Sequence, residues 1–86
     1  MLYYLQKQTR DEVKAMKQRI RLDTMTDVQQ FIKTTSQVSE AVTLEDGNGF
    51  CVNAKSLLGS LYAMEFTHIY CCCERDIAGL ILPWIV

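Results

Sequence analysis

Ser56 lies at a junction where a hydroxyl group could have a chemical role. It stands in the stretch VNAKSLLGSLY (residues 52–62), after an alternating segment and directly before a leucine-rich segment with helical spacing. A serine in this position can cap a helix by accepting a hydrogen bond from a backbone N–H, which contributes about 1 kcal/mol. The same hydroxyl could instead carry a regulatory phosphate. Ser56 is therefore the first candidate functional residue, with helix capping as the simpler interpretation.

His68 is the only histidine of the chain and so the only conventional imidazole acceptor of a phosphoryl group. It falls in FTHIYCCC (residues 66–73), whose β-branched and aromatic residues are typical of a strand. Alternation along a strand places it opposite Ile69, away from any helix N-terminus where backbone amides bind phosphate. We therefore expect a surface or edge histidine with no donor groups beside it.

The cysteines Cys71, Cys72 and Cys73 are consecutive, and Cys51 is the only other thiol. Consecutive strand residues point to opposite faces, so only Cys71 and Cys73 share a side. Structural zinc usually needs four ligands, with pairs spaced two to four residues apart. The run therefore predicts small buried side chains in a reduced, cytoplasmic protein, with no metal and no cofactor.

The size and charge of the chain restrict its possible functions. Its 86 residues form one small domain that cannot enclose a large buried active site. No nucleophile, base and orienting group form a recognisable catalytic arrangement, so the chain is predicted not to be an enzyme. The net charge is −1, and no basic cluster interleaves with aromatic residues, so no nucleic-acid partner is expected. The apolar run IAGLILPWIV (residues 77–86) is too short to span a bilayer, which needs about 20 residues, so no membrane insertion is expected.

The first half of the chain predicts a strand and a helix. Ile20 and Leu22 share one face of a short strand in QRIRLDT. Thr26 and Gln29 have the spacing of a capping box at a helix start. One stripe of that helix follows at helical spacing: Val28, Phe31, Ile32 and Thr35.

The second half begins with a hairpin. Val42 and Leu44 share one face of its first strand, and DGNG supplies residues that tolerate a positive φ in the turn. One face of its second strand is formed by Phe50, Val52 and Ala54. A short helix over SLLGSLYAM, the FTHIYCCC strand and a closing helix that Pro83 weakens or ends complete the chain.

This order of elements predicts an α+β fold. Strand, helix, strand, strand, helix, strand and helix make a four-stranded antiparallel sheet with helices packed on one face, an open-faced sandwich. The first residues, 1–16, are predicted to be an N-terminal extension with loosely helical amphipathic spacing, and 17–86 the domain.

The order and the residues together resemble the histidine-containing phosphocarrier protein (HPr) of the bacterial sugar phosphotransferase system. The resemblance is strongest over NGFCVNAKSLLGSLY (residues 48–62) and extends more weakly from about Lys17 to the C-terminus. HPr proteins commonly carry a turn there, a strand similar to VNLKS, and a helix beginning SIMG or SLFK. The resemblance implies an HPr-like open-faced sandwich.

One departure concerns the phosphocarrier reaction itself. In HPr the first strand leads into Gly-Ile-His-Ala-Arg-Pro, whose histidine carries the phosphoryl group. The corresponding junction here, RLDTMTDVQQF (residues 21–31), has no histidine, arginine or proline after the predicted strand. The phosphocarrier activity is therefore not expected at that position.

The resemblance also implies a regulatory site and a docking surface. Ser56 matches the serine that a dedicated kinase phosphorylates in HPr of many Gram-positive bacteria. Leu58 and Leu61 match positions of an apolar patch that docks partners, and Tyr62 could add an amphipathic contact. We expect Leu57 in the core and Leu58 at least partly exposed, whereas Leu61 could be either.

Three functional hypotheses follow. The first is an HPr-like regulatory or adaptor module without phosphohistidine activity. It would dock protein partners, for example proteins of the phosphotransferase system or of carbon regulation, through the helix that begins at Ser56. The second is a phosphocarrier that uses an atypical acceptor, with His68 as the conventional choice. The third is a structural homodimer assembled through the helix predicted for residues 1–16.

Overall fold

The computed structural model describes residues 15–86. The extension predicted for residues 1–16, its helix and the homodimer through it lie outside the described residues, apart from its last two positions. Met16 is the first residue of a strand.

The described chain is an α+β fold with one four-stranded antiparallel sheet and two α-helices. The strands are β1 (Met16–Ile20), β2 (Val42–Glu45), β3 (Cys51–Asn53) and β4 (Ile69–Cys73). The helices are α1 (Met25–Thr35) and α2 (Leu57–Ala63), and a 3-10 helix spans Leu82–Trp84. The sheet order is β1-β4-β2-β3, so β4 lies between the first two strands of the chain.

Alternation along the strands produces one buried and one more exposed sheet face. Ile69, Cys71 and Cys73 of β4 are all at most 6% exposed, while Tyr70 and Cys72 between them are half-buried. Val42 and Leu44 of β2 are buried on the same side, as the sequence predicts. The core lies on this face, to which the helices add Val28, Phe31 and Ala63.

The start of α1 differs from the predicted capping box by two residues. Thr24, not Thr26, is the N-cap: its Oγ1 accepts from the backbone N–H of Asp27 at 3.1 Å. In return Asp27 Oδ2 accepts from the backbone N–H groups of Thr24 and Asp23, each at 3.1 Å. The prediction was wrong because it required Glu or Gln at the third helical position, whereas the shorter Asp27 also reaches back.

The predicted stripe of α1 is confirmed as its inward-facing side. Val28, Phe31 and Thr35 are fully buried, and Ile32 packs against the core at its edge. The ring of Phe31 meets the ring of Trp84 edge-on, with centroids 5.3 Å apart. This contact ties the 3-10 helix to α1.

The hairpin turn and the C-terminus test two further predictions. Gly47 and Gly49 have φ values of 88° and 98°, so the turn uses its glycines as predicted. The predicted closing helix is instead a turn followed by the 3-10 helix, which contains Pro83. Proline cannot donate to an α-helical ladder, and the shorter helix still buries Trp84, with Ile81 buried directly before it.

No helix within residues 15–86 is long and apolar enough to cross a membrane.

Candidate functional site

Ser56 is the N-cap of α2. Its backbone is extended (φ −98°, ψ 133°), and its Oγ accepts from the backbone N–H of Gly59 at 3.1 Å. The predicted capping role is therefore confirmed. Ser56 is half-buried, so part of its side chain faces solvent. Its phosphorylation stays a prediction.

Lys55 directly precedes the N-cap, but its ammonium group points towards the loop between α1 and β2. Its Nζ donates to the carbonyl oxygen of Val38, in the loop between α1 and β2. The charge of Lys55 is thereby engaged in holding this loop against the α2 start.

The helix α2 packs on the sheet through its smallest residues. A Cβ placed on Gly59 would lie 2.7 Å from the carbonyl oxygen of Asn53, which real Cβ atoms essentially never approach so closely. Ser60 and Ala63 are fully buried, and Ser60 Oγ donates to the carbonyl oxygen of Ala54 at 3.2 Å. Small residues therefore line the inner side of α2 and bring its backbone close to β3.

Leu57 and Leu58 of α2 consequently lie on its outer side. The prediction that Leu57 belongs to the core was wrong, because its side chain is 50% exposed. Leu58 is 79% exposed, as expected of a residue at least partly in solvent, and Tyr62 is 57% exposed. Leu61 is half-buried and packs against the core. The prediction for Leu57 failed because helical periodicity alone predicts that leucines face the core. In α2 the backbone lies so close to β3 that the side with Gly59 and Ser60 faces inward instead.

An aromatic cluster extends this surface. The ring of Phe50 meets those of Tyr62 and Phe66 edge-on, with centroids 5.4 Å and 5.9 Å away. Phe50 is 44% exposed and precedes β3, whereas its predicted same-face partners Val52 and Ala54 are half-buried and buried. We call Phe50, Leu57, Leu58 and Tyr62 the α2 surface. The sequence did not predict that Phe50 belongs to this surface, since its contacts cross from the hairpin turn to a helix.

His68 is exposed, as predicted, but it lies in the bend before β4 rather than within the strand. A donor group also lies beside it, contrary to expectation. The Nη2 of Arg19, on the neighbouring strand β1, is 3.0 Å from His68 Nδ1. The contact joins residues 49 positions apart in sequence, so it depends on the pairing of β1 with β4.

The cysteine run behaves mainly as a set of packing residues. Cys71 and Cys73 are buried, and burial raises the pKa of the Cys71 thiol to about 12. Cys72 faces the opposite side, where burial and then the neighbouring Glu45 raise its pKa to about 11. Thiols with such pKa values are neutral near pH 7 and poorly nucleophilic. Within residues 15–86 no three His, Cys, Asp or Glu side chains lie close enough together to hold a metal ion.

No protein-family model matches the chain, and neither characterised proteins nor solved structures show a significant similarity to it. The resemblance to HPr therefore stays a prediction from the residues.

Proposed function

We propose that this chain is an HPr-like regulatory or adaptor module that docks protein partners through the α2 surface. The observation that carries the proposal is the orientation of α2. Its inner side is formed by Gly59, Ser60 and Ala63, while Leu58 and Tyr62 face solvent. Exposed apolar groups clustered with aromatic rings are typical of protein interaction sites.

The energetics favour a role in binding over a role in folding. Fully burying one leucine side chain contributes about 1.5–3 kcal/mol, and most of that remains unused at Leu58. Tyr62 and Phe50 offer large rigid contact areas at low entropic cost, which is characteristic of binding hot spots. A partner that covers the α2 surface would gain from all of these groups together.

The HPr-like part of the proposal is supported by sequence and element order. The stretch VNAKSLLG runs from β3 into α2 with Ser56 as the cap, which is where the resemblance places it. The phosphohistidine position is not supported. Since β1 ends at Ile20, Arg21 does follow the strand, but no histidine or proline stands between it and α1. Partners of the adaptor would be proteins of the phosphotransferase system or of carbon regulation, bound without transfer of a phosphoryl group to a histidine.

Phosphorylation of Ser56 would give the α2 surface a point of control. A phosphate on its Oγ would add about −1.5 to −2 charges directly before Leu57, beside an otherwise apolar surface. It would also convert the Oγ that now accepts from the backbone N–H of Gly59 into a phosphate ester oxygen. We propose that phosphorylation of Ser56 changes partner affinity by this added charge.

Two kinase reactions in parallel test the proposal. The full chain is incubated with the HPr serine kinase and ATP, and separately with enzyme I and phosphoenolpyruvate, and mass spectrometry locates any phosphate. We expect phosphate on Ser56 in the first reaction and none in the second. Ser56→Ala should abolish the modification, whereas Ser36→Ala, at another exposed helix end, should leave it unchanged.

Binding of the same kinase tests the docking surface. A Leu58→Ser/Tyr62→Ser double variant should weaken binding by about tenfold or more, since truncated hot spots typically cost over 1 kcal/mol. Leu82→Ser is the matched control, because Leu82 is 66% exposed on the 3-10 helix. Equal binding by both variants, or no modification of Ser56, would count against the adaptor.

One observation favours a second candidate, a phosphocarrier with His68 as acceptor. The guanidinium of Arg19 beside His68 could stabilise a phosphoryl group on the ring. Acid-labile phosphate on His68 in the enzyme I reaction would support this candidate and overturn the first.

A further inference from the structure

A cleft at one end of the sheet combines positive charge with apolar walls. It has a volume of about 360 Å³ and lies between the end of β1 and the segment that precedes β4. Arg19, Arg21 and His68 line it together with Leu22, Met64 and Phe66. Cavities of about 300–1,000 Å³ with a few convergent polar groups are typical of small-molecule sites.

The Arg19–His68 contact determines which ring nitrogen carries a proton. A guanidinium can only donate hydrogen bonds, so His68 Nδ1 must accept in the 3.0 Å contact. The neutral ring then carries its proton on Nε2. Both groups therefore have N–H donors left: the remaining donors of Arg19 and the Nε2–H of His68.

Within residues 15–86, carboxylates neutralise the charge of the cleft only in part, although Asp23 also lines it. Among residues 15–86 Arg19 has no carboxylate within ion-pair distance. Arg21 pairs through Nε with Asp23 Oδ2 at 3.0 Å, which leaves its terminal N–H groups for other acceptors. Among the side chains that line the cleft, two guanidinium groups thus face the one carboxylate of Asp23, and the balance of side-chain charge favours an anion.

We propose that this cleft reversibly binds a phosphate monoester with a small apolar body. Planar guanidinium groups match phosphate oxygens with paired N–H bonds, and His68 Nε2 supplies a further donor. The apolar side chains of Leu22, Met64 and Phe66 would contact the organic part of the ligand. The proposal does not rest on the adaptor function, since the cleft residues are not part of the α2 surface.

Titrations of the full chain with defined probes test the proposal, and amide chemical shifts are the readout of binding. The probes are inorganic phosphate, phenyl phosphate and benzoate, which separate the contribution of the phosphate from that of the apolar body. We expect phenyl phosphate to bind more tightly than either other probe, with shifts centred on residues 19–22 and 66–69. Raising the salt concentration should weaken the binding.

Variants separate a specific site from general charge attraction. Arg19→Gln and His68→Ala should each weaken binding of phenyl phosphate, Arg19→Gln by about tenfold, since charge-assisted hydrogen bonds from a guanidinium to a phosphate are among the stronger ones in proteins. Lys17→Gln removes a positive charge from the same strand outside the cleft and should change affinity less than about twofold. Absence of binding at millimolar phenyl phosphate, or equal losses in all three variants, would overturn the proposal. Circular dichroism of each variant verifies that its fold is intact.

Discussion

Burial separates the four thiols of this chain into groups of different reactivity. Cys51 is exposed, Cys72 is half-buried, and Cys71 and Cys73 lie in the core. Because the thiolate is the reacting species, we expect iodoacetamide at pH 8 to modify Cys51 first and Cys72 more slowly. Cys71 and Cys73 should react only after unfolding. Mass spectra of timed samples give the order, and native modification of Cys71 as fast as Cys51 would contradict it.

The raised pKa of Cys71 also has a consequence for alkaline stability. The folded chain keeps this thiol protonated up to a pKa of about 12, whereas the unfolded chain loses the proton near 9.0. Below pH 9 the thiol therefore does not change the free energy of unfolding with pH. As pH rises from about 9 to about 12, the unfolded state is favoured and stability falls. In urea titrations across this range Cys71→Ala should lose less stability than the wild type, although it is less stable at pH 7. A parallel decline of both proteins would show that other groups dominate.

At the scale of single elements, Asp27 holds the start of α1. The backbone N–H groups of Asp23 and Thr24 donate to its carboxylate and keep its pKa below the usual range. A lowered pKa stabilises the fold above the ordinary pKa of aspartate, and this contribution is lost as pH falls through the lowered value. Asp27→Asn should therefore have a lower melting temperature than the wild type at pH 7. In acid the difference in melting temperature between the two proteins should be smaller. Thermal melts at pH 7 and pH 2.5 measure both effects.

The packing of α2 depends on Gly59. Alanine is normally favoured over glycine in a helix by about 1 kcal/mol, so helix propensity alone predicts that Gly59→Ala stabilises the protein. The added Cβ would instead lie 2.7 Å from the carbonyl oxygen of Asn53 and push α2 away from β3. We expect a loss of about 1–3 kcal/mol in urea unfolding, as for other overpacked sites. Gly79→Ala is the control, since a Cβ there meets no atom within 4 Å. A stabilised Gly59→Ala would show that α2 is not held this close.

These elements also show how far the sequence predicts the fold. Side chains alternate with a period of two residues in β4 and of 3.6 residues in α1. These periods correctly predicted that Cys71, Val28 and Phe31 are buried, because one face of each of these two elements meets the core. The same rule failed for Leu57, since α2 is positioned by backbone contact at Gly59 and not by its largest side chains. The spacing of apolar residues along one element does not determine how closely that element packs against another.

For the molecule as a whole, the sheet order β1-β4-β2-β3 decides which distant residues meet. It places Arg19 opposite Tyr70 in the register of β1 with β4, and so brings its guanidinium to His68. The candidate residue His68 was visible in the sequence, but its arginine neighbour was not, because strand pairing links residues far apart in the chain. The candidate docking residues Leu58 and Tyr62 were suggested by the resemblance of one short stretch to HPr, whereas Phe50 joins them only through the hairpin.

The α2 surface gives the molecule an exposed apolar region whose removal should not affect folding. Leu58 is 79% exposed, and surface substitutions of this kind usually change stability by less than about 0.5 kcal/mol. We expect Leu58→Ser to keep the urea midpoint of the wild type while raising solubility and lowering the fluorescence of a bound hydrophobic dye. Leu44→Ser is the opposite case, because Leu44 is fully buried in β2 and the variant should unfold or lose several kcal/mol. A destabilisation of Leu58→Ser by 2 kcal/mol or more would mean that Leu58 belongs to the core, and the outward orientation of α2, on which the adaptor proposal rests, would then be wrong.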